Sequence, residues 1–168
     1  MKALRACSSQ DSDAGVVRLL ARAGLVGSYT LAPLPTGGNN RVYRLEVDGQ
    51  VLVLKIYFRH PGDSRDRLKT EYEFLSFVRN LGIEAAPSPI ARNADLGMAL
   101  YSFIPGTKPL DGDQSREFVC QALDFFTGLN AGKRRPQAER LPAASEACFS
   151  LAEHLDVIDG RVERLGGI

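Results

Sequence analysis

The stretch RVYRLEVDGQVLVLKIYF, residues 41–58, constrains the fold more than any other part of this chain. Residues 41–47 alternate, with Val42 on one face and Tyr43, Leu45 and Val47 on the other, the period of a half-buried strand. Asp48-Gly49 is a two-residue turn pair that tolerates positive φ and returns the chain as a hairpin. The returning segment, VLVLKIYF over 51–58, is apolar at seven of eight positions; the eighth is Lys55. Alternation puts Val51, Val53, Lys55 and Tyr57 on one face and Leu52, Leu54, Ile56 and Phe58 on the other. An ammonium in such a strand needs a partner, or its stem must snorkel to water.

The segments on either side extend the hairpin into a sheet. Residues 11–24 suit a short helix, capped by Asp11, Ser12 or Asp13, striped by Val16, Leu19, Leu20 and Ala23, and stopped at Gly24. YTLAPLP (29–35) reads as an edge strand, because Pro33 and Pro35 withhold ladder donors. With the break at GGNN (37–40), residues 29–58 form three consecutive antiparallel strands. The polar HPGDSRDR precedes a helix over 65–80, in which Leu68, Glu71, Tyr72, Leu75 and Val78 share a side that Phe74, Phe77 and Leu81 extend. Gly82 caps it, and two short strands follow near 88–93 and 98–103, turning at Asn93-Ala94-Asp95. A linker over 105–113 leads to a helix over 114–130 with Phe118, Ala122, Phe125, Phe126 and Leu129 on one face, the two adjacent phenylalanines reading as core. GKRRPQAERLP reads as a polar loop, and 143–165 as a further helix carrying Phe149, Leu151, Leu155, Val162 and Leu165.

Bulk properties exclude several classes. At 168 residues and 44% hydrophobic content the chain holds one cored domain, or one domain and part of another. A net charge of +1 gives no global field for nucleic acid or an anionic membrane. The basic run Lys133-Arg134-Arg135 has no interleaved aromatics and reads as a solvated loop. No window approaches the ~18 apolar residues of a membrane span. The start, MKALRACSSQDSD, has no apolar stretch of a secretory signal. Cys7, Cys120 and Cys148 are an odd, scattered set without metal-ligand spacing, as expected of reduced thiols in a cytoplasmic protein.

The lysine has a candidate partner in Glu71, on the same side of the second helix as Leu75 and Val78. Glu73 is the rival, about 200° away around the helix. A Lys–Glu pair between strand and helix keeps the ammonium charged and aims it at a phosphate. The turn Gly37-Gly38-Asn39-Asn40 lets backbone N–H groups approach phosphate oxygens, or is a plain turn of common turn residues. The fifth strand ends at Tyr101-Ser102-Phe103-Ile104, so its backbone faces the same cleft.

The segments GGNNRVYRL, VLVLKIY, TEYEFLSFV and ALYSFIPG, in this order and spacing, resemble the N-terminal lobe of the aminoglycoside phosphotransferase and choline-kinase-like family. These are small-molecule kinases of protein-kinase-like fold, and the resemblance spans residues 28–130. It implies an α+β fold: a five-stranded antiparallel sheet with one packed helix, then a linker and the helical start of a C lobe. The implied boundaries are an ATP-binding lobe over 1–103, led by the 11–24 helix, a hinge over 104–113, and an incomplete helical lobe over 114–168. It further implies that Lys55 holds the α- and β-phosphates of ATP while Glu71 orients it. Gly37, Gly38, Asn39 and Asn40 would cover the phosphates, although this turn departs from G-x-G-x-x-G. Val53 would lie against adenine, the Ser102 carbonyl and Ile104 N–H would bond its edge, and Tyr101 would stand at the back of the pocket.

Phosphoryl transfer also needs a catalytic aspartate and magnesium ligands, which the family carries in an H-x-D-x-x-x-x-N segment and a following metal motif. His60 lies in a loop after the third strand. His154-Leu155-Asp156 offers H-x-D, but Arg161 stands at the asparagine position, inside an amphipathic helix, so it reads as a decoy. No catalytic or metal residue is assigned, though Mg2+ is expected for the family. The expectation is the ATP-binding part of a phosphotransferase that moves the ATP γ-phosphate to an unidentified small-molecule hydroxyl, as a truncated or degenerate form inactive alone. The alternative is a non-catalytic kinase-like binding or interaction module. Partners are then nucleotide and acceptor, with neither nucleic acid nor membrane, and with self-association through an uncovered C-lobe surface.

Overall fold

The computed structural model describes residues 9–35, 40–60, 65–106, 115–142 and 150–166. Its centre is the hairpin that the sequence announces. Strands β2 (Arg41–Val47) and β3 (Gln50–Ile56) pair antiparallel, with Val47 opposite Gln50. Asp48 (φ 49°) and Gly49 (φ 72°) both take the left-handed conformation that a tight hairpin of matching twist requires. Strand β1 (Tyr29–Pro33) pairs with β2, and β4 (Pro89–Asn93) pairs with β5 (Met98–Ser102), which adds to the free side of β3. The order is β1-β2-β3-β5-β4, antiparallel throughout. The two proline-containing strands, β1 and β4, sit at the two edges, where a missing donor is harmless.

Each face of the sheet carries one helix. Helix α1 (Ser9–Arg22) buries Val16, Leu19 and Leu20 against Leu45, Val47, Leu52, Leu54, Ile56, Ala91, Met98 and Leu100. Burying each of the larger aliphatics contributes about 1.5–3 kcal/mol. The helix begins earlier than expected, so Asp11, Ser12 and Asp13 lie inside it rather than at its cap. Asp13 instead accepts a hydrogen bond from the Tyr29 hydroxyl at 3.0 Å, tying the helix to the start of β1. Gly24, at φ 73°, ends it. On the opposite face, α2 (Arg67–Asn80) packs Leu68 and Leu75 against Tyr57, Ala99 and Tyr101, with Val53 and Tyr72 beside them. Asp66 caps α2 by accepting from the Lys69 N–H at 2.9 Å.

The returning strand is shorter than its apolar run. It stops at Ile56, and Phe58, expected on the face of Leu52, Leu54 and Ile56, is 40% exposed. Alternation ends with the ladder, so the face of Phe58 is no longer set by the strand period. Its N–H is taken by Asn40 Oδ1 at 3.1 Å.

After the sheet come α3 (Arg116–Ala131), α4 (Pro136–Glu139) and α5 (Leu151–Gly166). Ser115 caps α3. The expected polar loop contains the single turn α4, because Pro136 at its first position presets a helical φ. Helix α5 opens on a reciprocal capping box: Glu153 N–H donates to Ser150 Oγ at 3.2 Å and Ser150 N–H to Glu153 Oε2 at 3.1 Å. Residues 107–114, most of the expected linker, and 143–149, the start of the expected last helix, lie outside the described residues. Phe126, expected in a core, is 62% exposed, and Leu151 is 74% exposed. Phe125 is half-buried. The reason is that no described element covers that face of α3. Among the described residues no helix is long and apolar enough to cross a membrane.

Candidate functional site

Lys55 sits one residue before the end of β3, opposite Val42 of β2 and Ala99 of β5. That places its side chain on the α2 face of the sheet. Glu71, one turn into α2, faces it. The Lys55 Nζ lies 2.6 Å and 2.8 Å from the two carboxylate oxygens of Glu71. Such charge-assisted, two-oxygen contacts are the strong class of hydrogen bond. Lys55 and Glu71 side chains are 19% and 36% exposed, so the pair borders solvent rather than lying sealed in the core. An ammonium has three donors, and Glu71 engages two of them. Glu73 points elsewhere, with Oε1 3.9 Å from Arg92 Nη1.

Beneath the ammonium lies the ring of Tyr57, its centroid 5.0 Å from Nζ, within cation–π range. The Tyr57 and Tyr101 hydroxyls are 2.6 Å apart, and both residues are buried. Burial, above all, pushes both hydroxyls far above the ordinary 10.0. For Tyr57 the Tyr101 hydroxyl and then the Glu71 carboxylate add to the rise; for Tyr101 the bond to Tyr57 opposes it. Both tyrosines are therefore neutral donors and acceptors. The stack continues outward: Tyr72 and Tyr101 rings are 6.1 Å apart at 50°, and the Arg92 guanidinium lies 4.8 Å over Tyr72.

Further along the same face, Val53 pairs with Tyr101 on one side and with Arg44 on the other. Arg44 pairs with Glu46 and lies 5.7 Å over the Phe103 ring. The end of β5 is fastened twice to residue 88: Ser102 N–H donates to the Ser88 carbonyl at 2.9 Å, and Ser88 N–H donates to Ser102 Oγ at 2.8 Å. Ile104, two residues on, is exposed.

The fold thus brings Val53, Lys55, Glu71 and Tyr101 to one face, with Ser102 and Ile104 at its rim. Asn40 stands beside the end of β3 through its bond to Phe58. Gly37, Gly38 and Asn39 lie outside the described residues. Two residues of the face escape the sequence assignment. Tyr57 carried a signal, since it follows Lys55 by two in the same alternation. Val42 carried none until the register set it opposite Lys55. His154 and Asp156 lie within α5, as expected of a helical segment. Among the described residues no three His, Cys, Asp or Glu side chains converge on a metal position.

A family model described as the phosphotransferase enzyme family, APH, matches residues 30–163. No curated protein matches the chain.

Proposed function

This chain belongs to the phosphotransferase enzyme family, and from that premise we propose that its sheet and α2 form the ATP-binding part of a small-molecule phosphotransferase. The observation that carries the reading is the Lys55 ammonium held on both oxygens of Glu71 at the solvent border of an otherwise apolar face. A fixed ammonium with a spare donor suits the α- and β-phosphates, and Glu71 keeps it oriented. Val53, with Val42 across the hairpin, supplies an apolar surface for adenine. The Ser102 carbonyl and Ile104 N–H are the edge contacts, and Tyr101 closes the back. Asn40, with Gly37, Gly38 and Asn39, covers the phosphates.

Magnesium accompanies ATP in such enzymes, and none of the described residues is assigned to it. The acceptor is a small molecule with a hydroxyl group, bound outside the face described above. The 168 residues contain no H-x-D-x-x-x-x-N segment, so the expected behaviour of this chain is nucleotide binding without turnover.

Calorimetric titration with MgATP tests the reading. Saturable binding is expected, weakened at least ~10-fold in Lys55→Ala, the loss of one or two charge-assisted bonds. Binding indifferent to Lys55→Ala, or none, overturns it. The second reading, a non-catalytic kinase-like module, draws on the open apolar side chains of α3 and α5. It predicts a protein partner whose binding nucleotide does not change.

A further inference from the structure

Tyr57 stands outside the residues that the sequence assigns to nucleotide, yet it touches the centre of the site. It is the first residue past β3, and its N–H still donates to the Gly97 carbonyl at 2.8 Å. Its hydroxyl lies 2.6 Å from that of Tyr101 on β5. The ring is thus fastened to the β4–β5 hairpin at both ends, by its backbone and by its hydroxyl, and it is 5% exposed. Against this fixed plate stands the most flexible group in the site. A lysine side chain has four rotatable bonds, and Glu71 comes from a different element, α2. Holding both costs side-chain entropy that a preformed surface offsets in advance. The ring face, 5.0 Å from Nζ, offers the ammonium such a surface.

We propose that Tyr57 is a positioning residue: its ring, fastened through its hydroxyl to Tyr101, holds the Lys55 ammonium on the Glu71 carboxylate in the orientation that presents Lys55 to phosphate before nucleotide arrives. The purpose of that orientation rests on the nucleotide reading above. The orientation itself does not, and can be measured without nucleotide.

The readout is the side-chain ammonium resonance of Lys55 in the nucleotide-free chain, followed by MgATP titration. In the wild type the resonance is shifted by the Tyr57 ring current and protected from solvent exchange. Tyr57→Leu removes the ring; the shift is lost, exchange quickens, and MgATP affinity falls about 5-fold. Tyr57→Phe keeps the ring and loses the hydroxyl, so the shift persists and the affinity loss is smaller. A Lys55 resonance unchanged by Tyr57→Leu overturns the proposal, as does an affinity loss with no change at Lys55. If Tyr57→Leu does not fold, the wild-type resonance decides: a Lys55 ammonium without a ring-current shift overturns the proposal. If the wild type binds no MgATP, the nucleotide reading fails while the Lys55 resonance still settles the positioning.

Discussion

A lysine surrounded by Val, Leu, Ile and Tyr is met by one carboxylate and one aromatic face at the border of solvent. The same neighbourhood makes two tyrosines resist ionisation. Unfolded tyrosines lose their proton near the ordinary 10.0, whereas burial holds Tyr57 and Tyr101 protonated well beyond it. Their folded values are raised, so the linked stability is fully present below about pH 10 and drains away as pH rises above it. The slope approaches about 1.4 kcal/mol per pH unit for each tyrosine. Urea unfolding between about pH 8 and 11 checks this: the fall in stability is expected to be shallower in Tyr57→Phe than in wild type. Equal slopes would show that the hydroxyl of Tyr57 titrates alike in both states.

At the level of elements, the β2–β3 hairpin carries the site and depends on its turn. Gly49 has φ 72°, and a Cβ there would meet open space. Gly49→Ala is therefore expected to cost about 1 kcal/mol through backbone conformation alone. A lowered urea midpoint with an unchanged slope is the expected reading, and an unchanged midpoint would contradict it. Asp48 shares the left-handed conformation at φ 49° but is one of the few residues that visit it readily. Helix limits were legible where a side chain announces them. Ser150 and Glu153, at capping-box spacing, mark the start of α5. The 3.6 period alone, which also admits a start at 143, passes over that signal.

In the whole molecule, the end of α3 and the start of α4 touch the C-terminal end of α2. Asn80 Nδ2 donates to Gln137 Oε1 at 3.0 Å and Arg135 donates to the Asn80 carbonyl at 3.3 Å. Gly132 completes the junction by having no side chain: a Cβ there would lie 2.6 Å from Leu81 Cδ2 and 2.9 Å from Phe77 Cζ. Its φ is an ordinary −85°, so space rather than conformation demands glycine. Since Phe77 is buried, Gly132→Ala is expected to destabilise by about 1–3 kcal/mol through overpacking and to speed proteolysis after α3. Gly128, whose Cβ would be 3.6 Å from Ile83 Cδ1, is the control; Gly128→Ala leaves the cleavage rate as it was. Equal cleavage of both variants would mean that the junction has room.

The sequence by itself determined what neighbours along the chain decide. Alternation, the Asp-Gly turn, Gly24, Gly82 and the proline edge are local preferences, and together they specify the strands and helices and most of their order. A single lysine in an apolar strand points to a partner, because an ammonium among apolar side chains demands company. Only the tertiary structure decided which company. Glu71 rather than Glu73 depends on the roll of α2 over the sheet, which Leu68 and Leu75 set by burial. Tyr57 lies under the ammonium because its hydroxyl finds Tyr101, 44 residues away. Phe58 and Phe126 are open because burial requires a partner surface, and an apolar side chain carries no record of whether one arrives. Register, roll and cover are long-range properties, fixed only when distant segments pack together.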